Sequence, residues 1–148
     1  MIHSAPEPFH VILIEDDEGH ANLIQRNLSR AGVRNPIKHI VSGFEALRYF
    51  REPAGPNLSH DKSVVVLDLN LPDIDGFEIL QTLKDDAATQ RIPVIVLTTT
   101  DNPKDIDRCY ALGCNVFMTK PVAYDDFSEA IHKLGLMMTI VRVPHSRE

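Results

Sequence analysis

Nothing in this 148-residue chain supplies the basic surface that nucleic-acid binding requires. Acidic side chains outnumber basic ones 21 to 15, the net charge is −6 with histidines neutral, and Lys and Arg form no cluster. Direct DNA or RNA contact is therefore not expected. No apolar run approaches the roughly 18 residues of a membrane span, and Met1-Ile2-His3-Ser4-Ala5-Pro6-Glu7-Pro8 lacks the basic, apolar and cleavage-site regions of an export signal. A cytoplasmic protein without membrane attachment is expected. Cysteine is scarce. Cys109 and Cys114 do not stand at C-x-x-C spacing and flank a predicted helix end, so they read as small buried hydrophobes, not a redox pair. The histidines (His3, His10, His20, His39, His60, His132 and His145) show no metal-ligand spacing and no nucleophile partner. Only His20 stands apart, because its helix begins beside an acidic run.

What the chain does have is a repeated alternation of short apolar runs with amphipathic helical patterns, the signature of βα units around a parallel sheet. The length, 148 residues, fits one domain over 1–148, with its core at about 9–138 and an apolar extension at about 136–144. Strands are predicted at about 9–15, 36–41, 63–68, 93–98 and 115–119. Ile37-Lys38-His39-Ile40-Val41 is the most polar and suits a sheet edge. The first helix carries Ala21, Ile24, Leu28 and Ala31 on one face, with Gly32 as its stop. The second opens on the capping-box pattern Ser42-Gly43-Phe44-Glu45. The third, about 76–86, turns Phe77, Leu80 and Leu83 inward. The fourth starts at Pro103 behind Asn102 and buries Ile106, Cys109 and Tyr110. The last aligns Phe127, Ala130, Ile131, Leu134 and Met138. Residues 51–62 read as a long surface loop, and Leu136 to Val143 as either a segment folded on the core or a subunit interface.

Polar chemistry sits where the apolar runs end. Val64-Val65-Val66-Leu67 runs into Asp68, then into Asn70, Pro72, Asp73 and Gly76. Val11-Ile12-Leu13-Ile14 runs into Glu15-Asp16-Asp17, Val94-Ile95-Val96-Leu97 into Thr98-Thr99-Thr100, and Val116-Phe117-Met118-Thr119 into Lys120-Pro121. Ligands of open parallel sheets bind beyond the carboxyl ends of the strands, so these groups should share one crevice. Two carboxylates about 5 Å apart repel by roughly 3 kcal/mol at an effective dielectric of 20. A hard divalent cation relieves that cost, and an oxygen-only site with room for water suits Mg²⁺. Glu15-Asp16-Asp17-Glu18 could instead simply open a helix, where acids favour the dipole, but that leaves Asp68, Thr98 and Lys120 unaccounted for. With Mg²⁺, Lys120 and the Thr98 hydroxyl can neutralise phosphoryl oxygens during an in-line transfer to Asp68. The mixed anhydride so formed hydrolyses readily, which makes it a timer. In the resting state Lys120 would pair with Asp68. The Lys120-Pro121 bond is open between trans, the ordinary X-Pro geometry, and cis.

Ile14-Glu15-Asp16-Asp17, Leu67-Asp68-Leu69-Asn70-Leu71-Pro72 with Asp75-Gly76, Leu97-Thr98-Thr99-Thr100 and Phe117-Met118-Thr119-Lys120-Pro121 together resemble the receiver domain of two-component response regulators, over nearly the whole chain. The resemblance implies an α/β, flavodoxin-like (βα)5 three-layer sandwich with parallel sheet order 2-1-3-4-5. It implies Asp68 as phosphoacceptor, with Mg²⁺ held by Glu15, Asp16, Asp68 and the backbone carbonyl of Asn70. Lys120 is the family's lysine, Thr98 and Phe117 the switch pair, and Asn70 and Thr100 the residues that tune lifetime. Phe117 stands where tyrosine is common, so only the packing half of the switch is implied. Such a protein takes its phosphoryl group from a sensor histidine kinase that meets the first helix near His20 and Leu23. It signals through the fourth helix, fifth strand and fifth helix, where a homodimer could also form. The loop before Lys62, Thr98-Thr99-Thr100-Asp101 and the stretch from Leu134 to Pro144 are similar to stand-alone regulators that partner bacterial phytochrome kinases. Such a regulator is a signalling protein that catalyses only its own phosphorylation and dephosphorylation.

Two other functions share parts of this pattern. An aspartate-nucleophile phosphatase of the haloacid dehalogenase type needs Asp-x-Asp, and Asn70 holds the second position here. A flavodoxin-like cofactor carrier needs a phosphate-cradling loop after the first strand, where four acids stand instead.

Overall fold

The computed structural model describes residues 10–52, 63–120 and 124–138. Strands and helices alternate in chain order: β1 (His10–Ile14), α1 (Glu18–Arg30), β2 (Ile37–Ile40), α2 (Gly43–Arg51), β3 (Ser63–Leu67), α3 (Gly76–Asp85), β4 (Val94–Thr98), α4 (Pro103–Leu112), β5 (Val116–Thr119) and α5 (Tyr124–Met138). All strand pairs are parallel, in the order β2-β1-β3-β4-β5. Each strand falls within one residue of its predicted bounds. The sheet reverses direction of growth at β1/β3, so the carboxyl ends of those two strands flank the switch point.

Strand alternation divides the core between the two faces of the sheet. Ile12, Ile14, Val65 and Leu67 pack with Leu47 of α2, Leu80 and Leu83 of α3 and Cys109 of α4. Val11, Leu13, Val64 and Val66 pack on the other face with Ile24 and Leu28 of α1 and Ile131 of α5. All five positions of β3 are buried, as expected of a strand covered on both sides. The polar strand β2 lies at an edge.

Helix ends follow local chemistry. Asp17 caps α1 by accepting from the His20 N–H at 2.9 Å, and Gly32 follows the helix at φ 101°. Asn102 caps α4 ahead of Pro103, and Gly113 ends it at φ 105°. For α2, Ser42 Oγ accepts from Glu45 N–H as the capping box requires, while the two N–H groups between them go elsewhere: Asp73 Oδ1 and Oδ2 accept from Gly43 and Phe44 at 2.9 Å each. Gly76 has no room for a side chain, since a Cβ there would collide with the Leu69 backbone.

Two positions of α4 read as buried, Tyr110 and Ile106, need correction. Tyr110 is 50% exposed, not buried. Its ring is too long for the shallow contact of α4, and its hydroxyl accepts from Phe117 N–H at 3.1 Å on the open side of edge strand β5. Phe77 faces inward as expected, half-buried against the α2/α3/α4 side of the core, and carries the Arg108 guanidinium 4.1 Å above its ring. Ile106 is likewise half-buried, whereas Cys109 and Cys114 are buried free thiols as expected. Of the α5 face, Ile131 is fully buried and Ala130 half-buried. The side chains of Phe127, Leu134 and Met138, the loop over 53–62, Pro121 and residues 139–148 lie outside the described residues.

Candidate functional site

The residue that follows each of three strands is still held by the sheet. Glu15 N–H donates to Ile40 O at 3.0 Å, Asp68 N–H to Ile14 O at 3.0 Å, and Lys120 N–H to Thr98 O at 2.6 Å. Each side chain therefore leaves from a fixed backbone point on the rim. Glu15, Asp68 and Lys120 are all buried, at 1%, 7% and 5% exposure, and Thr98 is completely enclosed. Buried charges at this depth require partners.

They partner one another. Lys120 Nζ donates to Glu15 Oε1 at 2.5 Å and to Asp68 Oδ2 at 3.0 Å, bringing together positions 105 and 52 residues apart. The other Asp68 oxygen, Oδ1, accepts from Asn70 N–H at 3.0 Å. Burial pushes the Glu15 carboxyl up, to about 7; the Lys120 hydrogen bond opposes that shift and the Asp68 charge adds to it. Asp16 is exposed at the mouth, and ligand oxygens of Glu15, Asp16 and Asp68 all lie within 4.8 Å of one another. Three converging carboxylates, with water access through Asp16, suit a hard divalent cation.

The turn out of β1 divides the four acids by function. Glu15 and Asp16 face the cluster, while Asp17 caps α1 and Glu18 occupies its first turn. The helix-opening account of this run thus holds for its second half. The backbone N–H of His20 holds Asp17 below the usual carboxylate range.

Around Thr98 the structure shows contacts that motif reading missed. Asn70 Nδ2 donates to both Thr98 Oγ1 and Thr99 Oγ1, each at 3.0 Å. Thr100 donates its hydroxyl to Asp105 Oδ2 at 3.0 Å, and Thr119 donates to the Thr100 carbonyl at 3.3 Å. Asn70 and Thr100 both line a cleft of about 450 Å³ with Leu71, Pro72, Phe77 and Asp105. His39 on β2 bonds the Glu15 carbonyl through Nε2 at 2.7 Å, and His20 Nδ1 lies 3.2 Å from Lys120 Nζ. The edge position of β2 was the only sign pointing to His39; proximity to the acidic run had singled out His20. Phe117, on β5, is half-buried and packs against the α2/α3/α4 side of the core.

Residues 11–132 match the family profile described as response regulator receiver domain. The chain belongs to that family. A receiver domain from Rhodospirillum rubrum, solved by crystallography, superposes with a TM-score of 0.87 at 45% identity, covering 94% of this chain and 99% of that one. The phosphorylated cyanobacterial phytochrome response regulator RcpA gives a TM-score of 0.84 at 31% identity, over 94% and 100% of the two chains. Among curated proteins, the probable methanogenesis regulatory protein FilR2 of Methanothrix harundinacea is 35% identical over 88% of this chain and 83% of its own. This receiver domain is a signalling protein of the response-regulator class, whose members bind Mg²⁺ at an acidic pocket and are phosphorylated by histidine kinases. Neither the phosphatase nor the cofactor-carrier alternative is favoured. Among the described residues no helix is long and apolar enough to cross a membrane.

Proposed function

We propose that Asp68 accepts a phosphoryl group from a sensor histidine kinase and that this chain catalyses both the transfer and its own later hydrolysis. The single observation that carries the reading is the convergence on Asp68 of one ammonium and two further carboxylates from distant parts of the chain. In the forward step an Asp68 oxygen forms the O–P bond while the donor's P–N bond breaks and the imidazole leaves with its electron pair. Glu15, Asp16, Asp68 and the Asn70 carbonyl would hold Mg²⁺, which when bound supplies positive charge to the transferring group. Lys120 shifts from Asp68 to a phosphoryl oxygen, and Thr98 donates its hydroxyl to another. Lys120 already lies 3.0 Å from Asp68 Oδ2, so its shift is small.

In this reading Asn70 and Thr100, which share one cleft, control the approach of water and hence the lifetime of the phosphorylated form. Thr98 and Phe117 transmit the change to α4, β5 and α5, the surface for a downstream protein or for a homodimer. The kinase is a bacteriophytochrome, a choice supported by the likeness to RcpA. The receiver works in the cytoplasm, and residues 11–132 carry it.

Mass measurement after treatment with acetyl phosphate and Mg²⁺ tests the central step. One added phosphoryl group is expected on the wild type and none on Asp68→Asn. Equal modification of both proteins overturns Asp68 as acceptor. Sizing the same samples checks whether association accompanies modification.

A further inference from the structure

Lys120 carries three protons and no lone pair, so everything that approaches its nitrogen favourably must accept. Besides the two carboxylates, the imidazole of His20 approaches it, with Nδ1 at 3.2 Å from Nζ and 4.0 Å from Glu15 Oε1. That contact is attractive when Nδ1 offers its lone pair, as it does in the Nε2–H tautomer. The root of the ring is fixed, since His20 N–H is the donor to the Asp17 cap. His20 is also the exposed member of the group. Its side chain is 41% exposed, against 2% for Lys120 and for Glu15.

We propose that His20 is a positioning residue for Lys120, holding the ammonium at the solvent side of the site by accepting at Nδ1. Two effects follow from that placement. The ammonium directs one of its hydrogen bonds to a ring nitrogen as well as to the Glu15 and Asp68 carboxylates, which leaves the acceptor oxygens more nucleophilic. Its long side chain is held in one orientation before the donor arrives, reducing the entropy lost in the transition state. His20 touches none of the reacting atoms. The role rests on Asp68 being the phosphoacceptor: an Asp68 oxygen forms a bond to phosphorus, the donor's bond to phosphorus breaks, and Lys120 keeps its protons throughout.

The rate of phosphoryl uptake from acetyl phosphate with Mg²⁺ tests it, the acetate leaving with the electron pair of the broken O–P bond. His20→Asn places an amide oxygen close to the position of Nδ1, and His20→Leu fills the space without an acceptor. Uptake by His20→Leu is expected to fall roughly three- to tenfold, as loss of one charge-assisted hydrogen bond allows. His20→Asn should stay within about twofold of wild type on the same scale, with equal unfolding midpoints for all three proteins. Nitrogen NMR of the His20 ring should show a single Nε2–H tautomer in wild type that is lost in Lys120→Met. The role is overturned alone if wild type is modified and His20→Leu keeps pace with it, if His20→Asn is as slow as His20→Leu, or if the tautomer ignores Lys120. A wild type that takes up no phosphoryl group overturns the reading of Asp68 and this role together.

Discussion

Glu15, Asp16, Asp17 and Glu18 are chemically near-equivalent as letters, yet the turn out of β1 sends them to different surroundings. A run of acids after an apolar strand is visible in the sequence, but which of them turns inward depends on backbone direction at the strand end. The same applies to Asn70, expected to offer a carbonyl and to tune lifetime, whose side chain also grips two threonine hydroxyls. Asp16 should be the exposed contributor to cation binding. Raising Mg²⁺ is expected to increase the thermal midpoint of wild type, by an amount equivalent to about 2.7 kcal/mol at 100-fold excess over Kd. Asp16→Ala should lose most of that increase, as scanning calorimetry can check. At the thiols, burial pushes Cys109 up to about 12 and Cys114 upward too. Thiolate is the reactive form, so neither should react promptly with Ellman's reagent at pH 8 in the folded protein. Both should react in guanidinium, and prompt colour from the folded protein would contradict the burial described.

Elements were the most legible scale, because period, caps and breakers act locally. Asn102-Pro103 and Gly32 needed only neighbouring residues to be read correctly. Tyr110 was misplaced because helical period marks a face without saying how deeply it sinks, and α4 sits shallowly at the sheet edge. Asp73 was missed for a different reason: it caps a helix 30 residues upstream, across the β3–α3 turn. Burial opposes charge on that carboxyl, but donation from Phe44 and Gly43 N–H outweighs it and holds the group below the usual range. Asp73→Ala should cost about 1 kcal/mol at neutral pH, as caps usually do. A depressed carboxyl stabilises fully above its unfolded value and loses that contribution as pH falls through the folded value. Chemical denaturation at several pH values should therefore show the gap between wild type and Asp73→Ala constant near neutrality and closing in acid.

For the molecule as a whole, alternation of strands and helices indicated a parallel sheet, whereas the strand order came from resemblance to a family. Periodicity carries no information about which strand lies beside which, and the site exists only through that order. In the proposed mechanism the site and the α4–β5–α5 surface are linked through Thr98, enclosed beneath the Asn70 amide, and Phe117, half-buried at the edge. Thr98→Ala should still gain a phosphoryl group from acetyl phosphate, because Asp68 and Lys120 are intact. It should nevertheless lose the modification-dependent change in the Phe117 amide resonance. A full wild-type response in that variant would place the coupling elsewhere.

The ion pairs of Lys120 join the first strand to the loop beyond the last one, with 105 residues between the ends of the longer bridge. A ribosome must therefore have released nearly the entire domain before its reactive centre can assemble. Until then Asp68 has no lysine beside it. On the proposed reading, a translation product that stops short of position 120 carries Asp68 without the ammonium that neutralises the transferring group, and is expected to take up phosphoryl groups more slowly than the finished domain.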